Sequence, residues 1–280
     1  VRQLLPLWLV CLAPACGEPT VTREQVDMLF AFDARAISAP VPAAELVADG
    51  AARFRAKPAN GVACSHCHLP ELDGQDGATH GRNTPPLRDV ARQLLFGWDG
   101  ALTELEAAVR RALRWRHGNV DEGEVAAISA YLRSWRSRGR WDRFVEGDDT
   151  ALSPAERAGL ATFVTVGCAA CHSGRLLGGR SRHALGAAVA APSDDEGYSA
   201  VTGLASDRLL FRAPALRLAA RTAPYLHDGS LATFEQAIEF MGQHELGVAL
   251  SAAQVAAIAN FLRAVADLDD VEGQVAAMPR

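Results

Sequence analysis

Two short stretches constrain this chain more than anything else in it. Cys64-Ser65-His66-Cys67-His68 and Cys168-Ala169-Ala170-Cys171-His172 both read C-x-x-C-H, the attachment pattern for c-type haem. Two thiols three residues apart can each add to one vinyl group of the same porphyrin, and the histidine that follows lies against the iron as an axial ligand. C-x-x-C also serves zinc sites and thiol redox pairs. Zinc would need four sulfurs converging on one ion and would leave His68 and His172 without a task. With six cysteines in the chain, two matches point to two covalent haems, held by Cys64, Cys67 and His68 and by Cys168, Cys171 and His172.

At 280 residues the chain can form one large domain or two small ones, and two haem motifs about a hundred residues apart favour two. The net charge of −5, with no long basic run, argues against a nucleic-acid partner. The N-terminus reads as an export signal over residues 1–16. Arg2 is followed by an apolar run from Leu4 to Leu12, too short to span a membrane, and by Ala13-Pro14-Ala15-Cys16. Cys16 before Gly17-Glu18-Pro19 resembles a lipoprotein cleavage site, so a lipid anchor on Cys16 is expected, with plain secretion after Ala15 as the alternative. Cys11 and Cys16 then belong to the signal, and no cysteine is left for a disulfide.

Residues 17–44 read as an N-terminal arm, 45–146 as a first haem domain and 147–280 as a second, joined near Gly147-Asp148-Asp149. Helical spacing recurs in both halves, for example Leu102, Leu105, Val109 and Leu113, then Val255, Ile258, Leu262 and Val265. Ser153-Pro154-Ala155-Glu156, Thr233 to Gln236 and Ser251 to Gln254 are helix starts with capping boxes. No alternating strand pattern is evident. The expected fold is all-α: two cytochrome c-like haem domains with long haem-wrapping loops.

A shift of 129 residues aligns the halves without gaps. Asn83-Thr84-Pro85-Pro86-Leu87-Arg88 falls over Arg212-Ala213-Pro214-Ala215-Leu216-Arg217, and Trp98-Asp99-Gly100-Ala101-Leu102 over His227-Asp228-Gly229-Ser230-Leu231. A duplicated haem domain is the natural reading. The halves differ where it matters for chemistry. Met241 can supply a thioether opposite His172, the ligation of a raised-potential electron-transfer haem. The repeat places Ala112 opposite Met241, and alanine cannot bind iron. The first haem is therefore either open to a small molecule or closed by a histidine from elsewhere.

These motifs together resemble the bacterial di-haem cytochrome c peroxidases, the group that includes the di-haem enzyme maturing methylamine dehydrogenase. The likeness runs from about Glu45 to Val265 and takes in Gly81-Arg82-Asn83-Thr84-Pro85, Phe96-Gly97-Trp98-Asp99-Gly100, Phe211 to Arg217, Ala223 to Ser230 and Met241-Gly242. The resemblance implies that peroxide is reduced at the His68 haem, and that the His172/Met241 haem receives electrons from a small cytochrome c or copper protein. It implies that Trp98 helps electrons cross between haems. It also implies a calcium ion between the haems, on Asn83 and the backbone carbonyls of Arg212 and Pro214. A periplasmic, lipid-anchored protein, with a homodimer as a further option, would follow.

One departure stands out. The family's distal glutamine and glutamate fall here on Ala108 and Gly118, which cannot move a proton between the peroxide oxygens. Glu106, His117 and His80 are the nearest substitutes as catalytic groups. His183 and His244 read as surface residues, with His244 a rival to Met241, and His227 as a structural hydrogen-bonder. Two other functions stay open. The chain could oxidise a residue on a partner protein through high-valent iron, or it could be a two-haem electron relay and no enzyme.

Overall fold

The computed structural model describes residues 20–32, 42–58, 61–68 and 81–269. In chain order the helices are α1 (Arg23–Phe30), α2 (Ala44–Arg55), α3 (Cys64–Cys67), α4 (Leu105–His117), α5 (Glu122–Ser134), α6 (Arg140–Val145), α7 (Pro154–Thr165), α8 (Ser199–Thr202), α9 (Phe234–Phe240) and α10 (Ala252–Val265). The expected helix starts are made as the sequence implies. Ser153, Thr233 and Ser251 each cap their helix in a reciprocal box with Glu156, Gln236 and Gln254, satisfying N–H groups the helix itself leaves open.

Two cores form. In the first, α2 crosses α5 and α4 lies beside α5, burying Phe54, Leu105, Leu113, Ile128, Tyr131 and Trp135. Gly50 makes this crossing possible: a Cβ there would land on the Ala127 carbonyl and within 2.8 Å of the Tyr131 Cβ. The second core repeats the device. There α7 crosses α10, and a Cβ on Gly159 would strike the Ala257 carbonyl and come within 2.9 Å of the Phe261 Cβ.

The second core also takes in elements from earlier in the chain. Val26 and Phe30 of α1 and Trp141, Phe144 and Val145 of α6 are buried in it. The Trp141 ring meets Phe30 and Phe261 edge-on at 5.2 and 5.4 Å. The cores thus part between Trp135 and Trp141, ahead of the expected joint at Gly147. Buried ion pairs sit at this seam. Arg217 bonds Asp142 and the Ser137 hydroxyl and lies 3.2 Å from Asp89, all four groups within 9% exposure.

The all-α expectation needs one correction. Strands β1 (Arg182–Ala184) and β2 (Leu210–Arg212) pair antiparallel, with Arg182 opposite Arg212 and His183 opposite Phe211. Three residues are too few to show a period-two pattern in sequence. The fold is mostly helical, with this one small ladder among the described residues.

Two turns 129 residues apart share backbone features. Phe96 bridges Leu102 and Tyr225 bridges Leu231. Gly100 and Gly229 both adopt positive φ, 63° and 71°. The Asp99 carboxylate accepts from the N–H of Ala101 at 2.9 Å, and that of Asp228 from Ser230 at 3.0 Å.

Candidate haem sites

Both C-x-x-C-H segments fold as a single helical turn, closed by His68 N–H on the Cys64 carbonyl at 2.9 Å and by His172 N–H on the Cys168 carbonyl at 3.0 Å. One turn brings two thiols three residues apart to the same side. Each histidine is then held through its inner nitrogen. His68 Nδ1 lies 3.1 Å from the Pro85 carbonyl, and His172 Nδ1 3.1 Å from the Leu177 carbonyl. The Pro214 carbonyl, 129 residues after Pro85, also faces His172. With a carbonyl taking the Nδ1 proton, Nε2 is left as the ligating lone pair, the usual second support of a metal-bound imidazole.

Leu177 reaches His172 by adopting φ 52° while fully buried. Left-handed backbone at a branched residue costs about 1 kcal/mol or more, spent here on aiming an oxygen. Burial pushes the His172 pKa down to about 4, so the ring is neutral, as iron ligation requires. Burial likewise raises the Cys168 thiol to about 12.

Cys168, Cys171, His172 and Met241 line one largely apolar cavity with Phe163, Ile238, Ile258 and Leu262. Met241 follows directly on α9 and opens a π-helical turn through Glu245, a widening of the helix often found at functional sites. Thiols, imidazole and thioether in one apolar chamber match the needs of a covalent haem with methionine as its second axial ligand. His244, the rival ligand, turns its Nδ1 to the Val189 carbonyl at 3.0 Å and stacks on Phe240.

At the first site the Cys64 thiol is raised by burial. Buried Arg116 reaches it, with Nη1 3.7 Å from Sγ, while also bonding the carbonyls of Val62 and Ala56 and the Glu124 carboxylate. His117 Nε2 lies 3.5 Å from the same Glu124. Glu106 is engaged elsewhere. It pairs with Arg133 at 2.5 Å and lines a surface groove with Leu46 and Val125. His80 lies outside the described residues.

Trp98 and Asn83 come from the first half of the chain but line the second-haem cavity. The Trp98 indole N–H donates to the Asn83 carbonyl at 2.7 Å, and the Trp98 carbonyl accepts from Arg212 N–H at 2.8 Å. Asn83 is 3% exposed and spends its amide N–H on the Pro224 and Leu226 carbonyls, leaving Oδ1 buried without a partner. An orphaned carbonyl oxygen suits a hard cation such as calcium. Among the described residues no cluster of three or more His, Cys, Asp or Glu side chains stands ready for a metal, so such an ion would depend on amide and carbonyl oxygens.

Two residues escaped the sequence reading. His183, expected at the surface, lines the cavity and bonds the Ser181 hydroxyl at 2.8 Å. Arg212, 5% exposed, lines it too, its side chain bonding the Gly97 carbonyl and the Gln93 amide oxygen. Both sit on the unforeseen ladder. His227, read from sequence as a structural hydrogen-bonder, is buried, bonds Ser193 Oγ at 3.1 Å, lies tilted against Phe211 at 4.4 Å and lines the same cavity.

This arrangement fits two covalently attached c-type haems. The comparisons agree, although no family model matches the chain. It is 39% identical over 173 residues to the cytochrome c551 peroxidase of Pseudomonas aeruginosa, an alignment covering 59% of this chain and 50% of that protein. It is 28% identical to the methylamine utilization protein MauG of Methylorubrum extorquens, over 82% of this chain and 79% of that one. Among solved structures, a MauG-like protein associated with microbial copper homeostasis superposes with a TM-score of 0.69 at 26% identity, covering 87% of this chain and 93% of that one. The diheme peroxidase BthA of Burkholderia thailandensis shares the fold at 19% identity, over 86% of this chain and 90% of that one, with a TM-score of 0.62. The chain is thus similar to cytochrome c peroxidases and MauG proteins in sequence and to a MauG-like protein in fold. It spans about half the length of the Pseudomonas relative.

Proposed function

We propose that this chain is an exported di-haem oxidoreductase that reduces hydrogen peroxide to water with electrons from a small cytochrome c or copper protein. One observation carries the reading: two histidines are presented in the same way, and the cavity that His172 lines also holds Met241. The bound haems would supply one-electron chemistry and, where the sixth position is open, a place for peroxide. The protein supplies the asymmetry. Met241 would hold the second haem as its thioether ligand, and Ala112, at the matching position of the first half, would leave the first haem open to a small molecule or to a histidine from elsewhere.

The matching bridges, turns and prolines at a 129-residue offset support descent of both halves from one duplicated haem domain. Trp98 is held by hydrogen bonds to Asn83 and Arg212 and serves as the relay between haems. Asn83 Oδ1 is the side-chain ligand of an interhaem calcium ion, with the Arg212 and Pro214 carbonyls completing its protein donors. Of the substitute acid–base groups, His117 is tied to the first motif through Glu124 and Arg116. It is the one we assign to proton movement there. Export, lipid attachment at Cys16 and a homodimer complete the reading. Cys16 lies outside the described residues, and among those described no helix is long and apolar enough to cross a membrane.

A second reading has its own observation. Trp115 is 62% exposed and precedes Arg116, which touches the first motif. That places an oxidisable ring at the surface, as oxidation of a partner protein would use. Electron paramagnetic resonance of the oxidised and half-reduced protein, with cyanide as probe, tests the first reading. A high-spin, cyanide-binding first haem beside a low-spin second one supports peroxide reduction. Two low-spin haems that refuse cyanide in both states leave an electron relay. Loss of peroxide turnover with a donor cytochrome, but retention of partner oxidation, would select the second reading.

A further inference from the structure

The segments that hold the two haem histidines are tied to each other. On the first side, the Pro85 carbonyl takes His68 Nδ1 at 3.1 Å, and Asp89 follows four residues on, 2% exposed and at φ 57°. On the second side, the Pro214 carbonyl faces His172. Leu216 N–H donates at 3.2 Å to the Leu177 carbonyl, the same oxygen that takes His172 Nδ1 at 3.1 Å. Arg217 comes next in the chain, also 2% exposed. Its Nε lies 3.2 Å from the Asp89 carboxylate and 2.7 Å from the Ser137 hydroxyl, which itself donates to Asp89. One buried ion pair therefore joins residues 85–89 to residues 214–217.

Both ends of the pair are fixed. Asp89 also accepts from the Ser137 N–H at 3.1 Å and from Arg92 at 3.2 Å, and its own N–H bonds the Trp135 carbonyl at 2.8 Å. Arg217 takes both oxygens of Asp142, 3% exposed, which accepts in turn from Gly139 N–H at 2.9 Å. A buried charge that loses its partner is strongly disfavoured, so the two segments shift together. Prolines at 85, 86 and 214 fix φ at the carbonyl-bearing ends and stiffen both links. The 129-residue match sets Arg217 over Arg88 but Leu218 over Asp89. The pair is therefore made between the halves and not repeated within each. The Nδ1–H of a metal-bound imidazole is a stronger donor when the metal carries more charge, so the carbonyl that takes it feels the redox state.

We propose that Asp89 and Arg217 are positioning residues that give the two haem histidines one shared support, so that the redox state of the second haem alters the setting of His68. The inference rests on the two-haem reading. The link carries no electrons. It passes on a change in hydrogen bonding, and by linkage the effect runs equally in both directions.

The test is electron paramagnetic resonance of the full holoprotein, fully oxidised and with only the second haem reduced, for wild type, D89N and R217K. Mass spectrometry first counts the attached haems. A chain with fewer than two sinks the two-haem reading and this inference with it. With both present, the wild-type signal of the first haem should shift when the second is reduced. A signal that stays put overturns the link and leaves the two haems intact. Asparagine tolerates the left-handed backbone of Asp89 and keeps an oxygen for Ser137, so D89N removes the charge and little else. Its shift should fall below half the wild-type size, and an undiminished shift overturns the proposal. R217K keeps the positive charge, but an ammonium lacks the planar fork that spans Asp89 and Asp142. It should lose the shift as D89N does. A shift lost in D89N and kept in R217K would mean that the first haem senses charge alone, which overturns the shared support. If D89N does not hold both haems, R217K decides: a lost shift supports the link and a kept one overturns it.

Discussion

The indole nitrogen of Trp98 donates a 2.7 Å hydrogen bond to the backbone carbonyl of Asn83. The ring is therefore fixed by the residue whose side-chain oxygen lies orphaned beside it. Trp98→Phe keeps an aromatic ring and removes the donor. The buried Asn83 carbonyl then loses a partner, at a cost of about 1–3 kcal/mol. Stopped-flow reduction should show the second haem reduced as fast as in wild type and the first one slower. Equal rates at both haems in the variant would remove Trp98 from the electron path.

Gly50→Ala and Gly159→Ala test whether the two crossings are equivalent. Each added methyl would meet a backbone carbonyl, of Ala127 or Ala257, which cannot swing aside as a side-chain tip could. Overpacking of this kind costs about 1–3 kcal/mol, sometimes more. Each variant should unfold earlier on heating. Gly50→Ala should chiefly loosen the first haem and Gly159→Ala the second, read from the separate spectra of the two irons.

Much of this architecture was legible in the sequence because it rests on local rules. The haem turns, the three capping boxes and the faces of α4 and α10 each follow from residues within a few positions of one another. What the sequence hid depends on distant pairing. The β1–β2 ladder joins segments nearly thirty residues apart, and each strand is too short to announce itself. With the ladder went the placement of His183 and of the Arg212 side chain. The docking of α1 onto Trp141 was hidden for a related reason, since Val26 and Phe30 say only that one face is apolar and not which core it joins. Glu106 shows a third case of distant pairing. Its position in the chain drew it toward the haem, while a partner brought by the fold, Arg133, turned it to the outer face.

Met241→Ala removes the thioether from the cavity that holds His172. The second haem should lose its methionine-type low-spin spectrum, bind cyanide and fall in midpoint potential, since methionine ligation raises it. Met241→His should restore a low-spin iron at a potential below wild type. An unchanged spectrum in Met241→Ala would show that the iron takes another ligand.

A calcium ion on Asn83 would bind the folded protein and not the unfolded chain, so it should stabilise by mass action. At a free concentration of 100 times the dissociation constant this amounts to about 2.7 kcal/mol. A chelator should lower the melting temperature of the wild type, and added calcium should restore it. Asn83→Ala should melt early and respond to neither. A wild type indifferent to chelation and to added calcium would leave the Asn83 oxygen without an ion.

The start of α7 makes a prediction about acid. Glu156 accepts bonds of 2.9 and 3.0 Å from Arg140 and one of 2.7 Å from the Ser153 N–H. The Arg140 bond, foremost, holds its carboxyl below the usual carboxylate range. A carboxylate lowered in the folded state adds stability that is complete above its unfolded pKa, about 4.3. That stability is lost as pH falls through the lower folded value, because the unfolded chain takes up the proton first. Arg140→Gln removes the main cause and leaves the Ser153 bond, so Glu156 should titrate closer to its ordinary value. Both side chains are partly wet, at 30% and 12% exposure, which limits the loss at neutral pH to about 1 kcal/mol. Melting temperatures measured from neutral pH down to below 4 should show wild type and variant converging as the medium becomes acid. Curves that stay parallel would mean that the pair adds nothing through protonation and that Arg140 acts only by packing.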